Sequence, residues 1–464
     1  MKSATYNMSY IWSISLVAAM GGLLFGYDWV VIGGAKPFYE EYFHLTSSFQ
    51  IGWAMSSALV GCLLGSVVSG SLSDRLGRKR LLIFSGLLFT VSAIGTGLAL
   101  SFSAFVAFRL LGGVGIGLAS NLSPMYIAEV SPAEMRGRFV SINQLTIVIG
   151  ILAAQLVNWL IARPVPEGVT AAEMFSSWNG QIGWRWMFAA ETVPAALFFL
   201  FMFIVPESPR WLVKNAQDDR AGKILVKIGG ADYGRKALLQ IKETLVNEID
   251  KVHFKDLLEP RMRKILGIGI FLAVFQQWCG INVIFNYAEE IFSAAGYGVN
   301  DILFNIVLTG TVNLVFTFVA IRTVDRWGRR PLMLSGAAGL ALIYTLLGFG
   351  YFSHSQGVHM LTLVVTAIGF YAMSLAPVTW VIISEIFPNR IRGAAMSVAV
   401  FSLWSACFIL TYTFPFLNRG LGAAGTFWIY AAVCVAGFLF IKKLLPETKG
   451  KTLEEIEVEL VGSA

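Results

Sequence analysis

The chain has 464 residues, of which 56% are hydrophobic and only 14% are charged, with a formal net charge of +7. Soluble domains carry nearer a quarter charged residues, so this composition excludes an ordinary soluble protein and indicates one that crosses a membrane many times. The positive charge does not indicate nucleic-acid binding, because Lys and Arg cluster in short loops between apolar stretches, where the positive-inside rule places them in the cytoplasm.

Twelve apolar stretches are long enough to span a bilayer of about 30 Å. The predicted spans lie near 11–34, 50–72, 81–100, 104–127, 139–162, 184–205, 265–290, 299–322, 331–352, 360–386, 394–417 and 424–444. Residues 35–49 are predicted to form an outer loop. No cleavable signal precedes the first span, and an even number of spans with every basic turn inside predicts that both termini are cytoplasmic.

A charged stretch at 206–264 divides the chain in two. Four of its apolar residues have helical spacing and predict short amphipathic helices on the cytoplasmic side, namely Leu238, Ile241, Leu245 and Ile249. We therefore expect a six-helix bundle at 1–205, this linker, a second six-helix bundle at 265–445, and a cytoplasmic tail at 446–464.

The second half of the chain repeats motifs of the first half in the same order. VDRWGRR at 324–330 echoes SDRLGRK at 73–79. In the second half, SEIFPNRIRG comes after the first of these motifs, at the position that AEVSPAEMRG has in the first half. PETKG then ends the second half, as PESPR ends the first half. Such a repeat predicts an all-α membrane protein with twelve transmembrane helices in two pseudo-symmetric bundles, and a substrate site between the halves at the membrane midplane.

The segment FQQWCGINVIFNY at 275–287 places four uncharged amides in an apolar stretch, Gln276, Gln277, Asn282 and Asn286. An unmet polar group at membrane depth costs about 4–8 kcal/mol, so these amides need partners, and a neutral polyhydroxylated ligand suits them. The two glutamines and Asn282 cannot share one face of an unbroken helix, so we predict a break near Gly280. The alternative is that these amides only hold neighbouring helices together.

One acid, Asp28, lies in the middle of the first predicted span. Such residues are usually functional because their burial is costly, and Arg109 in the fourth span is its natural counter-charge. Burial favours the neutral carboxyl and the arginine favours the carboxylate, so small changes of access can switch its protonation. We therefore predict that Asp28 is a proton site; the alternative is a fixed structural ion pair.

The basic turns are predicted to form a latch on the cytoplasmic side. Cross-span ion pairs there would hold that side closed and break when it opens, whereas the alternative is that these charges only set the topology. The predicted latch residues are Arg78, Glu129 and Arg138 in the first half, and Arg329, Glu385 and Arg392 in the second.

From GGLLFGYD to PETKGKTLEE, the whole motif set resembles the sugar porter family of the major facilitator superfamily. The DRLGRK motif marks the superfamily, whereas PESPR, QQWCGIN and PETKG together are typical of sugar porters. RLLGGVGIGLASNLSPMYIAE and PVTWVIISEIFPNRIRG are most similar to bacterial sugar–proton symporters.

This resemblance implies uptake of a monosaccharide, pentose or hexose, by proton symport through alternating access. It implies that an acid at Asp28 carries the proton and that Arg109 tunes it, and it adds Gln144, Asn313 and Trp380 to the amides as sugar contacts. The chain departs from the family pattern at three positions, where Asn286 replaces a tyrosine, Leu403 replaces an amide before Trp404, and Ala376 replaces a glycine. The particular sugar is therefore left open.

Other functions are less well supported by the sequence. No catalytic triad, phosphate loop or metal-ligand spacing predicts an enzyme, a metal or a cofactor; the four cysteines lie in apolar segments as structural residues. A facilitative uniporter and a membrane sugar receptor remain alternatives, and the short sequence after Gly450 argues against a receptor. A drug–proton antiporter would lack PESPR and QQWCGIN. The expected partners are a monosaccharide, a proton and the lipid bilayer, without nucleic acid, for a monomer in a bacterial inner membrane.

Overall fold

The computed structural model describes residues 6–166, 168–247, 259–387, 392–449 and 451. Within these ranges the chain is helical and contains no strand. In hydrocarbon, backbone groups must satisfy one another within a segment, and a helix does so without a partner strand. The all-α class predicted from the sequence is therefore confirmed.

The described part of the first half contains eight α-helices, and the linker follows it. The helices are α1 (Met8–Tyr42), α2 (Ser48–Leu76), α3 (Arg78–Leu98), α4 (Phe102–Val130), α5 (Arg136–Ile161), α6 (Ala171–Ser176), α7 (Trp184–Ala189) and α8 (Thr192–Ile204). The linker forms α9 (Pro209–Lys214) and α10 (Asp218–Asn247).

The second half contains the remaining helices of the described ranges. They are α11 (Pro260–Trp278), α12 (Ile281–Asn286), α13 (Ala288–Ala294), α14 (Val299–Trp327), α15 (Arg329–Phe352), α16 (Val358–Met373), α17 (Leu375–Ile386) and α18 (Arg392–Leu444).

Eleven helical segments of the described chain are long and apolar enough to cross a membrane. The last of them, Ala394–Leu444, contains two spans, because the backbone leaves the helical conformation at Gly422 with a φ of 67°. Counted in this way, the described helices agree with the twelve predicted spans.

The predicted outer loop at 35–49 is wrong, because α1 continues through it to Tyr42. Lys36 and Glu40 lie one turn apart on this helix, and their charged groups are 3.1 Å from each other. Their opposite charges allow the helix to extend past the predicted end of the apolar span, and the remaining connection is short.

The sixth span is interrupted at Ala190 and Glu191, between α7 and α8. Pro194 explains the break, because proline has no N–H to donate to the carbonyl group of Ala190 one turn earlier. Glu191 in this turn is a carboxyl group within the predicted sixth span.

The linker helices have a small core of their own. Trp211, Leu212 and Val213 of α9 pack with Ala221, and the predicted apolar stripe of α10 covers them through Leu238, Ile241 and Leu245. The amphipathic pattern is therefore confirmed for these three residues. Ile249 and residues 452–464 of the predicted cytoplasmic tail lie outside the described residues.

The chain forms two compact units whose boundary does not follow its two halves. Unit 1 comprises Met1–Asp28, Val60–Gly150 and Phe188–Lys251, and unit 2 comprises Trp29–Leu59, Ile151–Met187 and Val252–Ala464. Unit 1 contains Asp28 and Arg109. Unit 2 contains the amide-rich segment together with the last part of α1.

Candidate functional site

The amide-rich segment of unit 2 is broken where the sequence predicts. Gly280 separates α11 from α12 and has a φ of 88°, which side chains other than glycine rarely adopt. A Cβ atom there would also lie 2.7 Å from the ring of Tyr430. Glycine is thus required at this position both for its backbone conformation and for space.

The break brings three amides together. Gln277 Nε2 donates to Gln276 Oε1, and Asn282 Nδ2 donates to Gln277 Oε1. Gln276 Nε2 in turn donates to the hydroxyl group of Tyr371 on α16, at 2.6 Å. The three amides are at most 7% exposed, so this chain of hydrogen bonds keeps polar atoms satisfied in an apolar surrounding. Tyr371 is a member that the sequence analysis missed.

The other predicted sugar contacts lie outside this hydrogen-bonded chain. Asn286 is one turn beyond Asn282 on α12, and its buried Oδ1 atom has no hydrogen-bond partner. Asn313 lies on α14 and is 5% exposed, whereas Trp380 on α17 is 37% exposed. Gln144 lies on α5 in unit 1 and is half-buried.

A polar stripe on α14 extends the set of buried polar groups in unit 2. Its members are spaced four residues apart, which places them on one face of the helix, and all are buried: Asn305, Thr309, Asn313 and Thr317. Gln155 of α5 packs against this helix at Gly310, and both of its amide atoms are buried without a hydrogen-bond partner. The four-residue spacing of the stripe is visible in the sequence, but only Asn313 was predicted as a site residue.

The position where the chain lacks a family amide is filled by apolar packing. Leu403 is 2% exposed, and the neighbouring Trp404 lies 5.8 Å from Trp29, measured between ring centroids. The side chain of Leu403 has no polar group, so it cannot make the hydrogen bonds of the amide that it replaces. Any compensating hydrogen bond has to come from other residues.

The predicted ion pair of unit 1 forms in the structure. Arg109 Nη1 donates to Asp28 Oδ1, and Nη2 donates to the backbone carbonyl of Asp28 at 3.2 Å. Both side chains are buried, and the guanidinium lies 5.5 Å from the ring centroid of Phe188. Gly112 allows the carboxyl group to fit, since a Cβ atom there would lie 2.9 Å from Asp28 Oδ2.

A second acid, Glu191, accompanies this pair and was missed. It is 3% exposed and interacts electrostatically with both Asp28 and Arg109. One oxygen of each carboxyl group, Asp28 Oδ2 and Glu191 Oε1, is buried without a hydrogen-bond partner. Ionising two buried carboxyl groups beside one guanidinium costs free energy, because one positive charge cannot balance both. The cluster of Asp28, Glu191 and Arg109 can therefore bind a proton.

Two of the residues predicted to form the latch in the first half, Arg78 and Glu129, make an ion pair in unit 1. Arg78 Nε lies 3.0 Å from Glu129 Oε2, and Arg78 Nη2 lies 3.1 Å from Glu129 Oε1, so the ion pair is bidentate. Glu207 of the PESPR motif accepts the backbone N–H groups of Arg78, Lys79 and Ser208. The hydroxyl group of Ser208 donates to Glu129.

The same arrangement recurs in unit 2. Arg329 Nη2 lies 3.2 Å from Glu385 Oε1, and Thr448 donates its hydroxyl to Glu385 Oε2 at 2.6 Å. Glu447 of the PETKG motif accepts the backbone N–H groups of Arg329, Arg330 and Lys449. The glutamate of each repeated motif therefore caps the helix that carries the latch arginine, a role that the sequence analysis did not assign.

Two predicted latch residues lie outside these ion pairs. Arg138 is exposed, and among the described residues it makes no ion pair. The side chain of Arg392 lies outside the described residues.

Comparisons with known proteins agree over nearly the whole chain. The family model for sugar (and other) transporters matches residues 14–460. The D-xylose-proton symporter of Escherichia coli (strain K12) is 40% identical, over 97% of this chain and 96% of the relative. The arabinose-proton symporter of Bacillus subtilis (strain 168) is 39% identical, over 98% of this chain and 96% of the relative.

Among solved structures, the inward open conformation of the xylose transporter XylE from E. coli is similar. The TM-score is 0.84 at 38% identity, covering 97% of this chain and 99% of that chain.

Proposed function

Because the chain belongs to the sugar transporter family of the major facilitator superfamily, we propose that it takes up a monosaccharide together with a proton. It is a multi-pass membrane transporter rather than an enzyme. The observation that carries proton coupling is the buried group of Asp28, Arg109 and Glu191 in unit 1. The sugar is a pentose or a hexose, and alternating access between two six-helix bundles moves it.

The amides of unit 2 are proposed as the sugar-binding groups. Gln276, Gln277 and Asn282 already form a chain of hydrogen bonds, so a sugar hydroxyl can replace one partner without leaving an amide unsatisfied. Asn286 offers a buried oxygen that lacks a partner. Asn313 lies on the polar stripe of α14, and Gln144 and Trp380 are added from the family pattern.

The proton is proposed to bind at Asp28. Ionised Asp28 pairs with Arg109, and a proton on its free Oδ2 atom would weaken that pairing and leave the arginine to Glu191. A change in access to this buried group would then change its protonation, which is the coupling that symport requires. A bacterial inner membrane, cytoplasmic termini and a monomeric state complete the proposal.

A facilitative uniporter is the alternative, since it would need the same amides but no proton site. External pH in a lightly buffered suspension of cells expressing the protein distinguishes the two. Xylose, arabinose, glucose, galactose and fructose would be added in turn. We expect alkalinisation with the transported sugar, which identifies the substrate as well. Equilibration of a labelled sugar without any pH change would favour the uniporter.

The charged latch is proposed to hold the cytoplasmic side closed. Arg329→Ala removes the ion pair with Glu385, and the partly buried carboxylate keeps its hydrogen bond from Thr448. We expect the population to shift toward the inward-open state, measured as faster labelling of a cysteine on the cytoplasmic face of the sugar pathway. Arg326→Ala, an exposed arginine of the same basic turn, is the matched control. Equal labelling rates in both variants would contradict the latch.

A further inference from the structure

Unit 2 contains a second cluster of charged groups, built around a buried lysine, which we name the Lys36 cluster. Lys36 is 2% exposed, although it is a lysine in an apolar helix. Its Nζ atom lies 3.1 Å from Glu40, 3.1 Å from Glu289 and 2.7 Å from Glu290. Lys36 and Glu40 belong to α1, and the two other acids form the first turn of α13.

The charges of this cluster do not balance. One ammonium group faces three carboxyl groups, so full ionisation would leave two negative charges on side chains that are only 16–25% exposed to water. Like charges that share one counter-ion disfavour full ionisation, and at least one carboxyl group is expected to hold a proton. Glu290 is the best candidate, because its Oε2 atom is buried without a hydrogen-bond partner and has room for one.

The hydroxyl groups of three tyrosines around Glu290 donate to other acceptors. Tyr39 on α1 donates its hydroxyl to the sulfur of Met55, and Tyr287 donates to the carbonyl of Thr411. Tyr351 on α15 donates to the carbonyl of Ile291. Asp301 at the start of α14 is exposed to solvent. Lys36, Glu40 and Glu289 are therefore the charged groups that act on Glu290 at close range.

The direction of the pKa shift agrees with this geometry. Glu290 lies beyond the apolar span that ends at Asn286. Burial is the largest cause that raises the pKa of Glu290, to about 8. Lys36 lowers this pKa, whereas the negative charges of Glu289 and Glu40 raise it.

We propose that the Lys36 cluster is a second proton-binding site, and that a proton bound there keeps α13 packed against the end of α1. The location on the outer side of the membrane rests on the proposed function and topology. When α13 separates from α1, water reaches the buried Oε2 atom of Glu290, the carboxyl group becomes a carboxylate, and its proton enters the external solution. Closing reverses this step. The proton is released and taken up on the same side, so it regulates the outer gate without being transported.

The sign of the pH effect follows from linkage. The packed state holds the proton more tightly than the separated state, in which Glu290 returns toward its ordinary pKa of 4.5. Between that value and about 8, each unit of rising pH favours separation by up to tenfold. Acidic surroundings therefore stabilise the packed state, and mildly alkaline surroundings open it.

A distance measurement on the purified full chain in nanodiscs tests this site. Spin labels at Thr46→Cys and Ser293→Cys report on the separation of α13 from the loop after α1, and the four native cysteines are buried. Without sugar or a proton gradient, we expect the short-distance population to fall as pH rises from about 6 to about 9. Glu290→Gln resembles the protonated acid and should keep the short distance at every pH.

Two further variants make the test specific. Asp301→Asn, an exposed acid nearby, should titrate like the unsubstituted chain, and Glu289→Gln should move the midpoint to lower pH because it removes one negative charge from the cluster. A distance distribution that does not respond to pH, or a response that Glu290→Gln leaves intact, would overturn the proposal. Asp28→Asn should keep the response, so failure of proton–sugar symport is distinguishable from failure of this site.

Discussion

Asp28→Asn is expected to abolish accumulation of sugar against a gradient while sugar exchange across the membrane continues. Asparagine has the shape of the protonated acid but cannot gain or lose a proton, so the variant cannot couple sugar movement to a proton gradient. Arg109 would still interact electrostatically with the buried acid Glu191, which limits the structural damage. Concentrative uptake of labelled sugar in energised vesicles measures the loss, and counterflow in the same vesicles measures the exchange that remains.

The neighbouring acid provides the comparison that makes this result specific. Glu191→Gln changes the same buried group while keeping the Asp28–Arg109 ion pair, so we expect reduced but coupled uptake. Asp301→Asn, an exposed acid, should behave like the unsubstituted chain. Accumulation that survives Asp28→Asn and disappears with Glu191→Gln would assign the proton to Glu191 instead.

The features that the sequence predicted well are those with a local physical cause. The break at Gly280 could be predicted because the two glutamines and Asn282 cannot converge on a continuous helix, and the structure confirms it. The ion pair of Asp28 and Arg109 could be predicted because each residue is an unpaired charge in an apolar segment. In both cases the cost of burying a polar group identifies the partner.

The features that the sequence analysis missed depend on where a helix ends and on what packs against it. Lys36 and Glu40 were assigned to a loop, whereas in the structure they pair with each other on α1, and Glu289 and Glu290 of α13 pair with Lys36 from a distant part of the chain. Glu191 also lies in a predicted apolar span, at 184–205, and the same reasoning applied to it would have found it. The roles of Glu207 and Glu447 likewise depend on contacts between segments more than 100 residues apart.

Gln277→Ala is expected to weaken sugar binding by about 1.5–3 kcal/mol, which corresponds to a roughly ten- to hundredfold higher Kd. Gln277 is the central member of the amide chain, since it donates to Gln276 and accepts from Asn282. Its removal takes the donor from Gln276 Oε1 and the amide acceptor from Asn282 Nδ2, so the site loses its arrangement as well as one contact. Titration of the purified protein with the sugar identified by the external pH measurement gives the Kd.

Two controls separate a sugar contact from a purely structural amide. Gln240→Ala removes an exposed glutamine of α10 and should leave both binding and thermal stability unchanged. Tyr371→Phe removes the hydroxyl group at the other end of the chain, so it should lower stability by about 1 kcal/mol and affect binding much less than Gln277→Ala. If the amides served only to hold α11, α12 and α16 together, Gln277→Ala and Tyr371→Phe would both lower stability and neither would change the Kd. A selective rise in Kd for Gln277→Ala therefore supports the sugar site, because helix packing alone does not produce it.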